Sequence, residues 1–213
     1  MQRFSRKPVQ IGGRMHESRQ GTMDRGRFLG RATLAAGSAA GAALLLAPRD
    51  GGEAVAQGAA EKRALNLALL VEYAEAEFYS ETVRRGRVQG ELGAFAKQVA
   101  RQEEEHVAFI KSALGTGARP KPKFEFGDAT TNGDAFAEHA AELEDLAVGA
   151  YAGQANNLSK ETLSAAATLI SVEARHAAWV RSIAGRPPAA DPTDKPRSAD
   201  EVMRDLERLG LRG

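Results

Sequence analysis

Two four-residue stretches decide the fold of this sequence: Glu103-Glu104-Glu105-His106 and Glu173-Ala174-Arg175-His176. Each stretch places a Glu three residues before a His, inside a segment whose apolar residues recur with helical spacing. Residues three apart lie on the same face of a helix, one turn apart. Each stretch is therefore expected to present a carboxylate and an imidazole to a common point.

A second pair of Glu residues lies upstream of these stretches and repeats the pattern. Glu72 is followed seven residues later by Tyr79, and Glu144 is followed seven residues later by Tyr151. Seven residues make nearly two helical turns, so each Glu shares a helix face with its Tyr. The order Glu, Tyr, Glu-x-x-His occurs twice, at offsets of 72 and 70 residues. This indicates an internal duplication of a two-helix unit.

Four apolar stripes with spacings of three and four residues predict four helices that face a common core. The helices are predicted over about 60–85, 91–114, 134–157 and 159–184, with Asp134 and Ser159 as N-caps and Gly185 as the final stop. The four Glu and two His described above lie in these stripes. Other ionisable residues lie off them and are interpreted as solvent-facing: Glu75, Glu77, Glu104, Glu105, His139, Glu142 and Asp145.

The connections predict how the helices are arranged. Residues 86–90 are so few that the second helix is expected to be an antiparallel neighbour of the first. Residues 115–133 are long enough to let the third helix begin at the far end, and Lys123-Phe124-Glu125-Phe126 within them has an extended pattern. A Pro-rich tail, 186–213, contains a capping box at 198–201 and a short helix. The predicted fold is all-α, an antiparallel four-helix bundle with one long crossover between helices 2 and 3 and a short C-terminal helix.

The composition excludes several kinds of protein. The chain has no Cys, which rules out disulfides, thiolate metal sites and a Cys nucleophile. Residues 1–56 hold nine Lys and Arg against four Asp and Glu, which leaves 20 against 24 for the rest of the chain. The formal net charge of +1 therefore combines a basic N-terminal region with a weakly acidic main part. Nothing in this charge pattern favours binding to nucleic acid.

Residues 1–56 have the pattern of an export signal. A basic stretch, 25–31, precedes a 16-residue apolar run, 32–47, and Ala54-Val55-Ala56 is typical of a cleavage site that would leave Gln57 as the first mature residue. The run is shorter than the roughly 20 residues that span a bilayer. Contact with the membrane is therefore expected only through the signal. An uncleaved anchor and a general secretory signal are the alternatives.

The export route is suggested by a short motif. The stretch Arg25-Gly26-Arg27-Phe28-Leu29 resembles a twin-arginine signal, although Gly26 stands where the second Arg belongs. Residues 1–22 have no signal character, so Met23 is the expected start of translation. This pattern predicts a protein of the periplasm, cell envelope or extracellular space, and the route through the twin-arginine system is the one we favour.

Buried carboxylates need compensation, and this requirement points to metal. Burying an unpaired carboxylate costs several kcal/mol, and two divalent cations would balance the four predicted inward-facing Glu residues. Oxygen and imidazole ligands without sulfur suit iron or manganese, and also zinc. A lone Glu-x-x-His is usually a surface pair, but two on apolar stripes, each preceded by a striped Glu, favour a dinuclear site. The predicted metal-binding residues are Glu72, Glu103, His106, Glu144, Glu173 and His176.

The two Tyr residues allow two interpretations. Tyr79 and Tyr151 could be ordinary core aromatics, because both lie in apolar stripes. The interpretation we favour is that each phenol hydrogen-bonds a ligand carboxylate from across the bundle and holds its orientation.

Because of the paired Glu, Tyr and Glu-x-x-His residues described above, the segment 60–185 resembles the ferritin-like superfamily, which includes rubrerythrins and bacterioferritins. The signal, Lys123-Phe124-Glu125-Phe126-Gly127-Asp128 and Glu173-Ala174-Arg175-His176-Ala177-Ala178 are similar to those of exported bacterial ferritin-like domain proteins. The resemblance implies that Glu103 and Glu173 bridge two metals, with Glu72 and Glu144 as terminal ligands and one His on each metal. No catalytic residue beyond these ligands is expected. The chain lacks the Cys-ligated rubredoxin module of rubrerythrins.

Two functions from different classes follow. We expect an exported protein that binds two iron or manganese ions and is redox-active toward O₂ or peroxide, as a ferroxidase or with catalase- or peroxidase-like activity. Oxidation of an organic substrate is a further enzymatic hypothesis, which requires a pocket beside the metals. The alternative is a non-enzymatic, stress-related or structural bundle whose metal site is idle or structural. Assembly into a homo-oligomer is left open.

Overall fold

The computed structural model describes residues 52–212, and these residues form an all-α fold. The predicted export signal before residue 52 lies outside the described residues. No helix within residues 52–212 is both long and apolar enough to span a membrane. The elements are α1 (Gly52–Arg85), α2 (Gly90–Leu114), β1 (Lys123–Phe124), α3 (Gly133–Gln154), α4 (Lys160–Ile183), α5 (Ala199–Arg208) and β2 (Leu211–Arg212).

The first four helices form the predicted bundle. The most extensive packing is within the pairs α1–α2 and α3–α4, and smaller contacts join α1 to α3 and α2 to α4. Tyr79 of α1 contacts Glu144 of α3, and Tyr151 of α3 contacts Glu72 of α1, so these two helices run antiparallel. The long crossover makes this direction possible, because it returns the chain to the end of the bundle where α2 began. The predicted fold class and topology are confirmed.

The helix ends show which sequence signals were interpreted correctly. Ser159 caps α4 by accepting a hydrogen bond from the amide of Thr162, and Gly185, at φ 69°, stops the helix, as predicted. The predicted Asp134 cap of α3 was wrong. Asn132 is the cap, because it has the extended backbone that an N-cap needs and its side chain accepts from the amide of Ala135. Asp134 instead lies in the first turn, where its negative charge favours the helix dipole.

The first helix begins earlier than predicted. It starts at Gly52 rather than at about residue 60, so that the predicted cleavage site lies in its first turns. Residues 53–60 include four Ala and one Glu, which are good helix formers. The apolar stripe begins only at Leu65, and a prediction based on the stripe therefore began the helix too late.

The crossover and the C-terminal helix cover one side of the bundle. Strand β1 pairs antiparallel with β2, with Phe124 opposite Leu211. The buried ring of Phe126 packs edge-on against Phe78 of α1, with the centroids 5.2 Å apart. The capping box at the start of α5 is confirmed, and its apolar residues Val202, Leu206 and Leu209 are all buried. Helix α5 thus joins the core on the sides of α3 and α1.

A close approach between backbones seats the Pro-rich tail on α3. The amide of Arg197 donates to the carbonyl of Gly149 at 2.8 Å. A Cβ atom on Gly153, one turn later, would lie 1.8 Å from the carbonyl oxygen of Arg197. No side chain fits at that distance, so Gly153 is required for the tail to lie along α3 and lead into α5.

Candidate metal centre

The bundle brings the six predicted metal-binding residues together in its interior. One comes from α1, one from α3, and two each from α2 and α4, which are the helices that carry the Glu-x-x-His stretches. All four carboxylates have an exposed fraction of 0%, whereas His106 retains 7% and His176 retains 3%. The carboxylates are Glu72, Glu103, Glu144 and Glu173.

His106 faces three carboxylates at once. Its Nδ1 lies 2.9 Å from Glu173 Oε1, 3.0 Å from Glu103 Oε2 and 3.4 Å from Glu72 Oε2. A single ring nitrogen has one proton or one lone pair, so it cannot satisfy three oxygens by hydrogen bonding. The arrangement is instead that of ligand atoms that converge on one position.

His176 repeats this geometry in the other half of the site. Its Nδ1 lies 3.1 Å from Glu103 Oε1, 3.2 Å from Glu173 Oε2 and 3.3 Å from Glu144 Oε2. Glu103 and Glu173 therefore each direct one oxygen toward one imidazole and the second oxygen toward the other. Glu72 and Glu144 each face only one of the two positions.

The two Tyr residues reach across the bundle to the carboxylates of the opposite repeat. The hydroxyl of Tyr79 donates to Glu144 Oε1, and the hydroxyl of Tyr151 donates to Glu72 Oε1. Burial raises the pKa of both phenols, and the neighbouring carboxylates raise it further, so they remain protonated donors. Each phenol fixes one oxygen of its Glu and leaves the other directed into the site.

The cluster is electrostatically costly without a positive charge at its centre. Burial raises the pKa of Glu144 to about 8, and its contacts with His176 offset this only in part. Burial also raises the pKa of Glu72 well above its ordinary value, and the charge of Glu173 adds to the rise. Burial alone would lower the pKa of His176, but the carboxylates around it raise the pKa to about 12. All three pKa values are thus raised, as expected in a buried pocket whose negative charge attracts a proton or another cation.

The donor set fits divalent cations. Each of the four Glu residues has one buried oxygen for which the described residues provide no hydrogen-bond donor. Two groups of four side chains have ligand atoms that all lie within 4.8 Å of one another, and they share Glu103 and Glu173. Ligands of one first-row cation, at about 2.0–2.2 Å each, lie at most about 4.4 Å apart, close to this spacing. Two cation positions with two shared carboxylates therefore match the residues present.

A comparison with protein families agrees with this geometry. The family model described as "Ferritin-like domain" matches residues 60–186, which is more than half of the chain. The chain belongs to the ferritin-like domain family. No curated protein matches the sequence. The match covers all four bundle helices apart from the first turns of α1, and so includes every residue of the candidate metal centre in this ferritin-like domain.

The ferritin-like core contains a fifth carboxylate that the sequence analysis assigned to the surface. Glu75 was predicted to be solvated, but its exposed fraction is 0%, and neither of its oxygens has a hydrogen-bond partner within residues 52–212. Burial raises the pKa of Glu75 well above its ordinary value, and the charge of Glu144 is the next largest contribution. The sequence contained a signal for this buried position, because Glu72, Glu75 and Tyr79 also follow a helical spacing of three and four residues.

A polar partner of one imidazole was also missed. Gln102 Oε1 lies 3.0 Å from His176 Nε2, and it accepts a hydrogen bond when that nitrogen carries the proton. The unprotonated Nδ1 then faces the carboxylates, the orientation that metal binding needs. Gln102 directly precedes Glu103, but the sequence alone does not show that it reaches α4.

The other off-stripe residues of the ferritin-like domain follow the predictions, with one exception. Glu104 and Glu105 are exposed, and Glu77, Glu142 and Asp145 are partly exposed and form surface ion pairs. His139, predicted to lie on the surface, is half-buried. Its ring stacks on Phe78 with the centroids 4.8 Å apart, and its buried Nε2 has no hydrogen-bond partner in the part of the chain that the structure describes. Burial lowers its pKa.

Proposed function

We propose that this ferritin-like domain holds two iron or manganese ions and is redox-active toward O₂ or peroxide, as a ferroxidase or with catalase- or peroxidase-like activity. The observation that carries the proposal is the pair of four-residue clusters that share Glu103 and Glu173. A pair of reduced ions in such a site supplies two electrons to dioxygen or peroxide. The fully buried carboxylates supply the negative charge that retains two divalent cations.

The protein's part in this chemistry is to bind and orient. Glu103 and Glu173 would serve both metal positions, since each directs its two oxygens to different imidazoles. Glu72 and Glu144 would each serve one position. Their outer oxygens accept from Tyr151 and Tyr79, so the carboxylates cannot rotate out of the site. The ring of His106, with 9% of its side chain exposed, marks the side from which a small molecule would enter.

A non-enzymatic function is the second candidate, and one observation favours it. The four carboxylates are completely buried, as expected for a site that binds metal to hold the bundle together. The two candidates differ in turnover. A structural or idle site would bind metal and stabilise the protein but would not consume O₂ or peroxide.

Turnover by the full chain tests the proposal. The purified chain is freed of metal, loaded with Fe(II) or Mn(II), and assayed for O₂ uptake and for peroxide loss. We expect turnover in the wild type and in Glu104→Ala, whose side chain is exposed, and none in Glu103→Ala. Metal-loaded wild type without turnover would instead support the non-enzymatic function. Equal activity of Glu103→Ala and Glu104→Ala would contradict the assignment of the site.

We also propose that the protein is exported to the periplasm or cell envelope by the twin-arginine route. The support is the sequence pattern of residues 23–56, with its basic stretch, apolar run and cleavage motif. A folded, metal-loaded bundle is cargo of the kind that this route carries. Cell fractionation of the wild type and of a variant with Arg25 and Arg27 replaced by Lys tests the idea. Export unaffected by the change, or a mature N-terminus other than Gln57, would contradict this proposal.

A further inference from the structure

A large cavity lies beside the bundle, away from the metal centre. It has a volume of about 730 Å³ and lies between one face of α1, the crossover and α5. None of the six metal-binding residues lines it. Cavities of roughly 300–1,000 Å³ are the size that holds a small organic molecule. Because the cavity does not include the metal-binding residues, a molecule bound in it would act separately from the proposed redox function.

The interior of the cavity is mainly apolar. Leu67 and Leu70 of α1 face Met203 of α5 and Leu211 of β2 across it, and Pro122 of the crossover adjoins them. All five are half-buried in the described residues, so this apolar surface is sheltered but not filled by protein atoms. Burying the apolar surface of a ligand against it is favourable.

The wall of the cavity is held in place by specific hydrogen bonds. Asn66 of α1 accepts from the amide of Arg119 at 2.8 Å and donates to the carbonyl of Gly117 at 3.1 Å. The hydroxyl of Tyr73 donates to the carbonyl of Arg119 at 3.2 Å. Arg119 is thus fixed at both ends of its backbone, and the cavity is formed before any ligand arrives.

Charge at the cavity is predominantly positive. Among the described residues, the cavity is lined by three arginines, Arg63, Arg119 and Arg212, and by one acidic residue, Glu207. Arg212 is paired with Glu125 at 3.1 Å. In the part of the chain that the structure describes, the side chains of Arg63 and Arg119 have no ion-pair or hydrogen-bond partner. A ligand that fits this site would need an anionic group for the two arginines and an apolar part for the chamber.

We propose that this cavity binds an amphipathic organic anion, with an apolar body in the chamber and a carboxylate or sulfonate head at Arg63 and Arg119. Guanidinium groups bind such heads through charge-assisted, often bidentate, hydrogen bonds. The ligand is a free small molecule rather than a membrane lipid, because the chamber is lined on three sides by protein elements. Nothing in this assignment requires metal at the other site.

Displacement of a fluorescent anion from the full chain tests the proposal. 1-Anilinonaphthalene-8-sulfonate is titrated into the protein, then competed with decanoate or with the neutral analogue decanol. We expect saturable binding at one site and displacement by decanoate. The double variant Arg63→Ala/Arg119→Ala should bind decanoate about tenfold or more weakly than the wild type, because it loses a charge-assisted contact. Its affinity for decanol should stay within about twofold of the wild type. Arg101→Ala, on exposed α2 surface, is the matched control.

A second variant separates the cavity from general surface binding. Met203→Trp places an indole ring in the chamber and is expected to weaken the binding of both competitors, while the melting temperature stays within a few degrees of the wild type. The proposal is overturned if the probe does not saturate, which is also the result if another part of the chain occupies the cavity. Unchanged binding in Met203→Trp, or equal effects of the Arg63/Arg119 and Arg101 changes, overturns it too. So does binding to anionic phosphatidylglycerol vesicles without binding of free decanoate.

Discussion

The helix pair α1–α2 and the helix pair α3–α4 are two copies of one pattern, but they are not equivalent. Both supply a Glu, a Tyr and a Glu-x-x-His, and both Tyr residues bond the carboxylate of the other copy. The differences lie next to these residues. Glu75 of α1 corresponds, at the offset of 72 residues, to Ala147 of α3, and Gln102 of α2 corresponds, at the offset of 70, to Val172 of α4.

Both differences affect the same side of the centre. Gln102 contacts His176, and after burial the charge of Glu144 contributes most to the raised pKa of Glu75. Glu144 and His176 belong to one of the two four-residue clusters, whereas Glu72 and His106 belong to the other. The duplication thus supplies a symmetric set of candidate ligands, but the side chains next to these ligands differ between the two halves. We expect the Glu144–His176 position to bind metal more tightly, because its imidazole is held by Gln102 and it has an additional carboxylate nearby.

Removing metal is expected to have the largest effect, since it leaves both halves of the centre uncompensated. Two sites that are each saturated about a hundredfold above their dissociation constants contribute about 5 kcal/mol in total. For a domain of this size, chelation should lower Tm by about 10–20 °C. Calorimetry with and without chelator measures it. An unchanged Tm would mean that the buried carboxylates are compensated in some other way.

Substitution of the two unshared carboxylates compares the halves directly. Glu72→Ala and Glu144→Ala should each lose one metal and about 3 kcal/mol of metal-dependent stability. The metal that remains in Glu72→Ala should bind more tightly than the one in Glu144→Ala, as measured by titration against a competing chelator. Glu105→Ala, an exposed neighbour of the centre, should match the wild type. The reverse affinity order would contradict the inequality between the two positions.

Replacing Glu75 tests the asymmetry in the metal-free protein. Its folded-state pKa is raised above the ordinary 4.5, so the unfolded chain releases this proton first and wild-type stability falls as pH rises above 4.5. Glu75→Met should therefore stabilise the metal-free protein by about 2 kcal/mol at pH 8 and by less at pH 5. Glu77→Met, on partly exposed surface, serves as the control. Urea denaturation in chelator measures both, and a destabilised Glu75→Met at pH 8 would refute the interpretation.

The Tyr residues should give the smallest effects, and the two halves should respond alike. Tyr79→Phe and Tyr151→Phe each remove one buried hydrogen bond to a carboxylate, at a cost of about 1 kcal/mol. Metal affinity should fall about tenfold while the stoichiometry stays the same. Tyr73→Phe, which loses only its bond to the crossover, should leave metal affinity unchanged. Equal affinity losses in all three variants would argue against orientation of the carboxylates by Tyr79 and Tyr151.

Periodicity and duplication supported each other, and together they predicted the fold and the eight residues that the structure brings together inside the bundle. Glu103 and His106 must share a helix face, and the second copy fixed which carboxylate of three consecutive Glu residues points inward. Glu104 and Glu105 are exposed, as that choice required. The topology followed from connection lengths, since one short link and one long crossover leave few arrangements.

The wrong or missing predictions about the surroundings of the site share one physical origin, which is contact between elements distant in sequence. Helix α1 packs against both α2 and α3, so its buried face is wider than one stripe and includes Glu75. His139 is covered by Phe126 of the crossover, about a helix length away in sequence. The side chain of Gln102 contacts His176 only after α2 and α4 have packed together. Local spacing predicts which face is apolar, but tertiary packing decides how far burial extends.

Metal content by mass spectrometry tests the central claim most directly, on the wild-type protein and on the variants Glu173→Ala and Glu104→Ala. Glu173 belongs to both four-residue clusters, whereas the side chain of Glu104 is exposed to solvent. The account predicts about two iron or manganese ions per chain in the wild type and in Glu104→Ala, and loss of both in Glu173→Ala. Wild-type protein without stoichiometric metal, or Glu173→Ala with an unchanged content, would contradict it.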